Sequence, residues 1–159
     1  MIEEYKKPLD ECNLELTIIK NWVSENPFDS NIRYLVCYSV VKASGCIERV
    51  FKQMIFDLLS EKTKIETRSF LEKHIIKSSC NPSMYKIKQM LSPIGGDYRR
   101  RFESLTKGTG EERQLESLVI ARNNVAHGNA ISISIEDIVQ YFSSGRLILE
   151  HLFDVLYLG

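Results

Sequence analysis

Between residues 29 and 60 the chain carries a single unbroken apolar stripe. Val36, Val40, Ala43, Ile47, Val50, Phe51, Met54, Ile55, Leu58 and Leu59 keep a three- to four-residue spacing over about seven turns. This periodicity predicts one long central helix, about residues 29–60. A helix with so long an apolar face needs other apolar faces to cover it, and the rest of the sequence supplies them.

Leu9, Cys12, Leu16, Ile19 and Val23 mark a first helix that ends before Asn26-Pro27. A third is expected from about Glu66 to Lys77, with Phe70, Leu71, His74 and Ile75 on one side and Asn81-Pro82 as its stop. From Ser83 to Leu105, Pro93 and Gly95-Gly96 interrupt two short helical stretches, so a loop is expected there. Gly108-Thr109-Gly110 precedes Glu111-Glu112, acidic residues suited to the positive end of a new helix. That helix should stop at His127 or just before, because Gly128 accepts the left-handed conformation that follows a helix. Ile131 to Ile135 alternates like a strand but has no partner strand, and reads as a linker. Ser134 with Asp137 resembles an N-terminal cap, and Ile135, Ile138, Val139, Phe142, Leu149, Leu152, Phe153 and Leu156 define the last helix. The expected fold is all-α: a bundle of five or six helices in one domain over residues 1–159, with residues 1–27 as an N-terminal helix and 28–159 as the core bundle.

Composition bounds the function. Apolar residues at 43% and charged residues at 26% describe an ordinary folded chain rather than a disordered or fibrous one. The first residues carry charges without a following apolar region, and no run approaches the ~20 apolar residues that span a bilayer. A cytoplasmic protein with no membrane contact is expected. Cys12, Cys37, Cys46 and Cys80 are widely spaced without a CxxC pair, which argues for free thiols rather than a zinc site. With 21 basic against 21 acidic residues, nucleic acid cannot be held by bulk charge. Any such contact must be local, and the densest basic stretch runs from Lys86 to Lys107, including Arg99, Arg100 and Arg101.

One residue is out of place. Leu115, Leu118, Val119, Arg122, Val125 and Ala126 share a face of the fifth helix, so Arg122 interrupts an apolar stripe. A guanidinium there needs a carboxylate such as Glu48 or Glu116, a cleft, or a subunit interface. His127 follows five residues later. On a continuing helix the two would diverge by about 140° at 100° per residue; if the chain turns at Gly128, the imidazole can swing toward the arginine or meet its counterpart across a twofold axis. The bland alternative is that His127 merely caps the helix. Histidine beside arginine suits RNA cleavage by the RNA's own 2′-hydroxyl: imidazole moves protons and guanidinium stabilises the phosphorane, with no metal or other cofactor required.

The stretch Arg122-Asn123-Asn124-Val125-Ala126-His127-Gly128 resembles the Arg-x(4–6)-His signature of HEPN domains, especially standalone bacterial ones of the RiboL-PSP-like group. Arg68 to His74 and Arg146 to His151 also satisfy the bare spacing; the middle copy is favoured by its Asn after Arg, Ala before His, Gly after His and its penultimate helix. His74 and His151 read as core or surface histidines. The resemblance implies a helical dimer that cleaves RNA in toxin–antitoxin or antiviral defence, with Arg122 and His127 catalytic and Asn123 supporting them. Its habit of placing a polar or acidic residue in the second helix falls on Glu48, which would orient Arg122. Partners implied are RNA, a second copy of the chain and an antitoxin or defence protein. Arg99, Arg100 and Arg101 would guide phosphate, or simply face solvent. The alternative function is a non-catalytic module binding a nucleotide, an RNA or a protein.

Overall fold

A computed structural model describes residues 1–159, with Gly96 described by its backbone alone. Among the described residues there are seven helices and no strand. They are α1 (Glu3–Glu25), α2 (Ile32–Ser60), α3 (Ile65–Leu71), α4 (Met84–Leu91), α5 (Gly96–Thr106), α6 (Gly110–Ala126) and α7 (Ile135–Phe153). The count exceeds the expected five or six because both stretches flanking Pro93 and Gly95 close into separate helices, one of them capped by the Ser83 hydroxyl accepting from the Lys86 amide. Wider five-residue turns extend α3 over Glu72–Ile76 and α7 over Asp154–Leu158.

The α2 stripe is the centre of the core. Val40, Ala43, Ile47, Phe51 and Met54 are fully enclosed, and α1, α6 and α7 all pack on this helix. Helix α1 runs antiparallel to it, as paired contacts show: Tyr5 reaches Asp57 at one end and Glu15 reaches Tyr38 and Lys42 at the other. Its apolar face extends back through Pro8 to Tyr5, so the acidic first turn of Glu3 and Glu4 starts the helix well before Leu9. Helix α6 is antiparallel to α7, with Gln114 bonded to Ser144. The Ser134 hydroxyl and the Asp137 carboxylate cap each other's amides at the start of α7. Helix α3 buries no side chain of its own: Phe70 and His74 lie exposed with their rings tilted against each other, and only Ile75 in the following turn enters the core.

Gly145 lets α7 approach α2. A Cβ there would stand 2.2 Å from Ile47 Cδ1 and 3.4 Å from Leu115 Cδ1. Gly145→Ala should therefore destabilise by about 1–2 kcal/mol, overpacking outweighing the better helix propensity of alanine. Thermal melting would register a loss of several degrees, and Ile47→Val, which deletes the clashing methyl, should recover part of it. An unchanged midpoint would show that the core yields freely at this crossing. No helix among the described residues is long and apolar enough to cross a membrane.

Candidate functional site

The two ends of α6 are fixed by different chemistry. At its start Thr109 accepts from the Glu112 amide and Glu112 accepts from the Gly108 amide at 2.7 Å. Lys88 of α4 lies 3.0 Å from Glu112 and ties the two helices. At its end the Gly128 amide donates to Val125 and the Asn129 amide to Asn124, with Gly128 at φ +71. This is the six-to-one, five-to-two closure that a left-handed residue makes possible. His127 is the cap residue itself and is exposed.

Arg122 is half-buried, as a residue sharing a face with Leu115, Leu118 and Val119 should be, but burial fades toward the end of the helix and Ala126 is exposed. Its side chain lines a cleft of about 310 Å³ together with Ser79, Cys80, Asn81, Ser83 and Lys86. Among the described residues it makes no hydrogen bond or ion pair. Neither expected carboxylate reaches it. Glu48 is taken by Lys52, one turn further along α2 at 2.5 Å, and by the Cys80 amide at 3.1 Å; Glu116 accepts from the Met84 amide at 2.7 Å. Glu48 thus does not orient Arg122 directly. It holds the chain segment that forms the opposite wall of the cleft.

That wall is fastened along its length. Buried Lys52 also donates to the Ser78 carbonyl, and Asn81 donates to Asn123 Oδ1 at 2.8 Å. Asn123, beside Arg122 in sequence, therefore joins Glu116 in tying α6 to the wall. Asn81 Oδ1 is enclosed without a partner. Burial, with Glu48 nearby, raises the Cys80 thiol above its ordinary value, which disfavours its thiolate.

His127 does not line this cleft. Its amide still bonds the Asn123 carbonyl, so the helical register persists to the cap and carries the imidazole about 140° around the axis from Arg122. One chain thus presents the two side chains in different directions. The basic run on α5 is also separate. Arg99 pairs with Glu103, Arg100 with Asp97, and Arg101 lines a groove with Asp154 and Leu158; none of the three lines the Arg122 cleft. Their spacing of three and four residues from an acid on the same helix explains the pairing. Lys86, the first residue of the basic stretch singled out in the sequence, is the further cation in the cleft, and Lys52, which sequence reasoning passed over, is the positioning residue. A lysine within the α2 apolar stretch, four residues after a glutamate, was the available signal.

The other two Arg/His spacings are accounted for. Arg146 is engaged by Asp10 at 2.5 Å and also lies 3.7 Å from Glu150. Arg68 is exposed, with its guanidinium 5.6 Å from the Phe56 ring centroid, and His74 is exposed beside Phe70. Among the described residues no group of three or more His, Cys, Asp or Glu side chains could hold a metal ion.

The family model for RiboL-PSP-HEPN matches residues 8–157, nearly the whole chain. No curated protein and no solved structure matches it.

Proposed function

Given that the chain belongs to the RiboL-PSP-HEPN family, we propose that it is a metal-independent endoribonuclease whose site combines Arg122 and His127 across a homodimer. Membership by itself points to a nuclease or a nucleotide-binding module. The observation that carries the sharper reading is the state of Arg122. Of the three arginines with a histidine at family spacing, it alone is half-buried in a cleft, with a second cation and no acid on it among the described residues. A guanidinium left without a counter-ion at low dielectric is suited to an anion that arrives from outside, and phosphate is the anion that its planar fork fits.

The chemistry follows from the residue types. The ribose 2′-hydroxyl attacks the adjacent phosphorus, its proton passing to an imidazole of His127; the P–O5′ bond breaks and the leaving oxygen takes a proton from imidazolium. Arg122 carries the charge that grows on the phosphorane oxygens. The products are a 2′,3′-cyclic phosphate and a 5′-hydroxyl. Asn123 positions the cleft wall through Asn81, Glu48 does so through Cys80, and Lys86 is placed to hold a neighbouring phosphate. The divergence of Arg122 and His127 around α6 favours a composite of two chains over a site within one. A toxin or defence role, with an antitoxin or another partner protein, is the biological setting of this reading.

The test is RNA cleavage by the purified protein in excess EDTA, with end-group analysis. Cyclic phosphate ends are expected, together with growth arrest on expression. Intact RNA, or cleavage restored only by a divalent metal, would overturn the reading. RNA or nucleotide bound without cleavage would place the chain among the non-catalytic modules.

A further inference from the structure

A second cleft, of about 370 Å³, opens between α1 and α2, and Cys12 and Cys46 both line it. The two thiols are related reciprocally. The Cys12 thiol lies 4.0 Å from the Lys42 carbonyl, one turn before Cys46 on α2, while the Cys46 thiol donates to the Pro8 carbonyl at 3.2 Å, one turn before Cys12 on α1. In an antiparallel pair this arrangement sets the two sulfurs face to face across the helix interface. The remaining cysteines have no such partner among the described residues: Cys37 and Cys80 line different clefts.

The two sulfurs are also chemically unequal. The neighbouring Cys12 thiol draws the Cys46 thiol below its ordinary value against the effect of burial, and Arg49 and Lys42 add to the lowering. Cys12 is raised, first by its pairing with Cys46 and then by burial. Cys46, the more exposed of the two and lining the cleft beside the cations Lys42 and Arg49, is the sulfur placed to attack. Access is by the cleft alone, since Cys12 is 1% and Cys46 6% exposed. Gly45, on its rim, has no heavy atom within 4 Å of where a Cβ would stand, which leaves the approach open.

We propose that Cys12 and Cys46 form a dithiol site that exchanges with small-molecule disulfides and closes to a bridge between α1 and α2. The Cys46 thiolate attacks one sulfur of the oxidant, forming a mixed disulfide and expelling the first thiolate. The Cys12 sulfur then attacks Cys46, gives up its proton and expels the second. Two electrons pass from the cysteines to the oxidant, and the two released thiolates take up the two protons. The bridge closes a loop of about 35 residues, so the oxidised protein should melt roughly 10 °C higher than the reduced one.

The experiment treats the folded wild-type protein with excess glutathione disulfide, blocks remaining thiols and maps the peptides without reduction. Expected are a Cys12–Cys46 cross-link two hydrogens lighter than the free peptides, blocked Cys37 and Cys80, and reversal by dithiothreitol. Cys12→Ser should trap glutathione on Cys46, whereas Cys46→Ser should leave Cys12 unmodified. Four blocked thiols in the wild type, a cross-link through Cys37 or Cys80, or a melting point unmoved by bridge formation would each overturn the proposal. None of these outcomes depends on whether the protein cleaves RNA.

Discussion

Replacing His127 with alanine should lower RNA cleavage by about 10²- to 10⁴-fold, the span expected for loss of a general acid–base group. Arg122→Ala should cost about 10²- to 10³-fold, since a fixed charge facing the phosphorane is lost. Neither change should cost much stability. His127 is exposed, its helix end is closed by backbone bonds to Gly128 and Asn129, and Arg122 holds no partner among the described residues. Unfolding free energies within about 0.5 kcal/mol of wild type are therefore expected, which separates loss of chemistry from loss of fold. Mixing the two inactive variants sharpens the test. If each site takes its arginine from one chain and its histidine from the other, half the dimers in an equal mixture are mixed, and each of these has one intact site of two. Roughly a quarter of the activity should return. Activity unchanged in both single variants would remove these residues from the mechanism, and a mixture as inactive as its parts would place both groups within one chain.

Lys52→Ala should be the most destabilising single change, at about 3–5 kcal/mol, with a melting midpoint lower by roughly 10 °C. Its side chain is 7% exposed and its ammonium meets Glu48 at 2.5 Å as well as the Ser78 carbonyl. Removing it leaves a carboxylate that is 18% exposed with only the Cys80 amide to neutralise it. The cost of an unpaired enclosed charge exceeds what the pair contributes when intact. The double change Lys52→Met with Glu48→Gln, which keeps volume and removes both charges, should recover most of the loss in urea unfolding. Equal stability of Lys52→Ala and wild type would show that water reaches Glu48 freely.

Helices with strong periodicity were readable because burial and spacing agree along them: α2, α6 and α7 lie within a few residues of where their apolar stripes put them. The stop of α6 was readable for a different reason, since Gly128 at φ +71 is a local steric requirement. The turns around Pro93 were harder. There the short helices α4 and α5 are held by one serine cap and by contacts to α6 and α7, which no local pattern announces. Phe70 misled in the opposite sense, an aromatic residue on an apparent stripe that the fold leaves exposed. In the site, Arg122 was conspicuous as a charge on an apolar face. Its surroundings were not, because Ser79, Asn81, Ser83 and Lys86 lie some forty residues upstream and reach it only through tertiary packing. Glu48 was found for the wrong contact: its nearest cation is its own helical neighbour, Lys52.

The wall from Ser78 to Met84 is fastened at four places, to Lys52, Glu48, Asn123 and Glu116. Ordering a residue costs about 1–2 kcal/mol of conformational entropy, and for this segment that loss has already occurred on folding. A ligand entering beside Arg122 meets a rigid surface and does not have to organise one, so its binding free energy is not diminished by loop ordering. The same rigidity sets how the cleft discriminates. A wall tied at four points selects by shape at the moment of encounter, and a ligand that brings no anion to the Arg122 guanidinium forfeits the contact that the cleft offers.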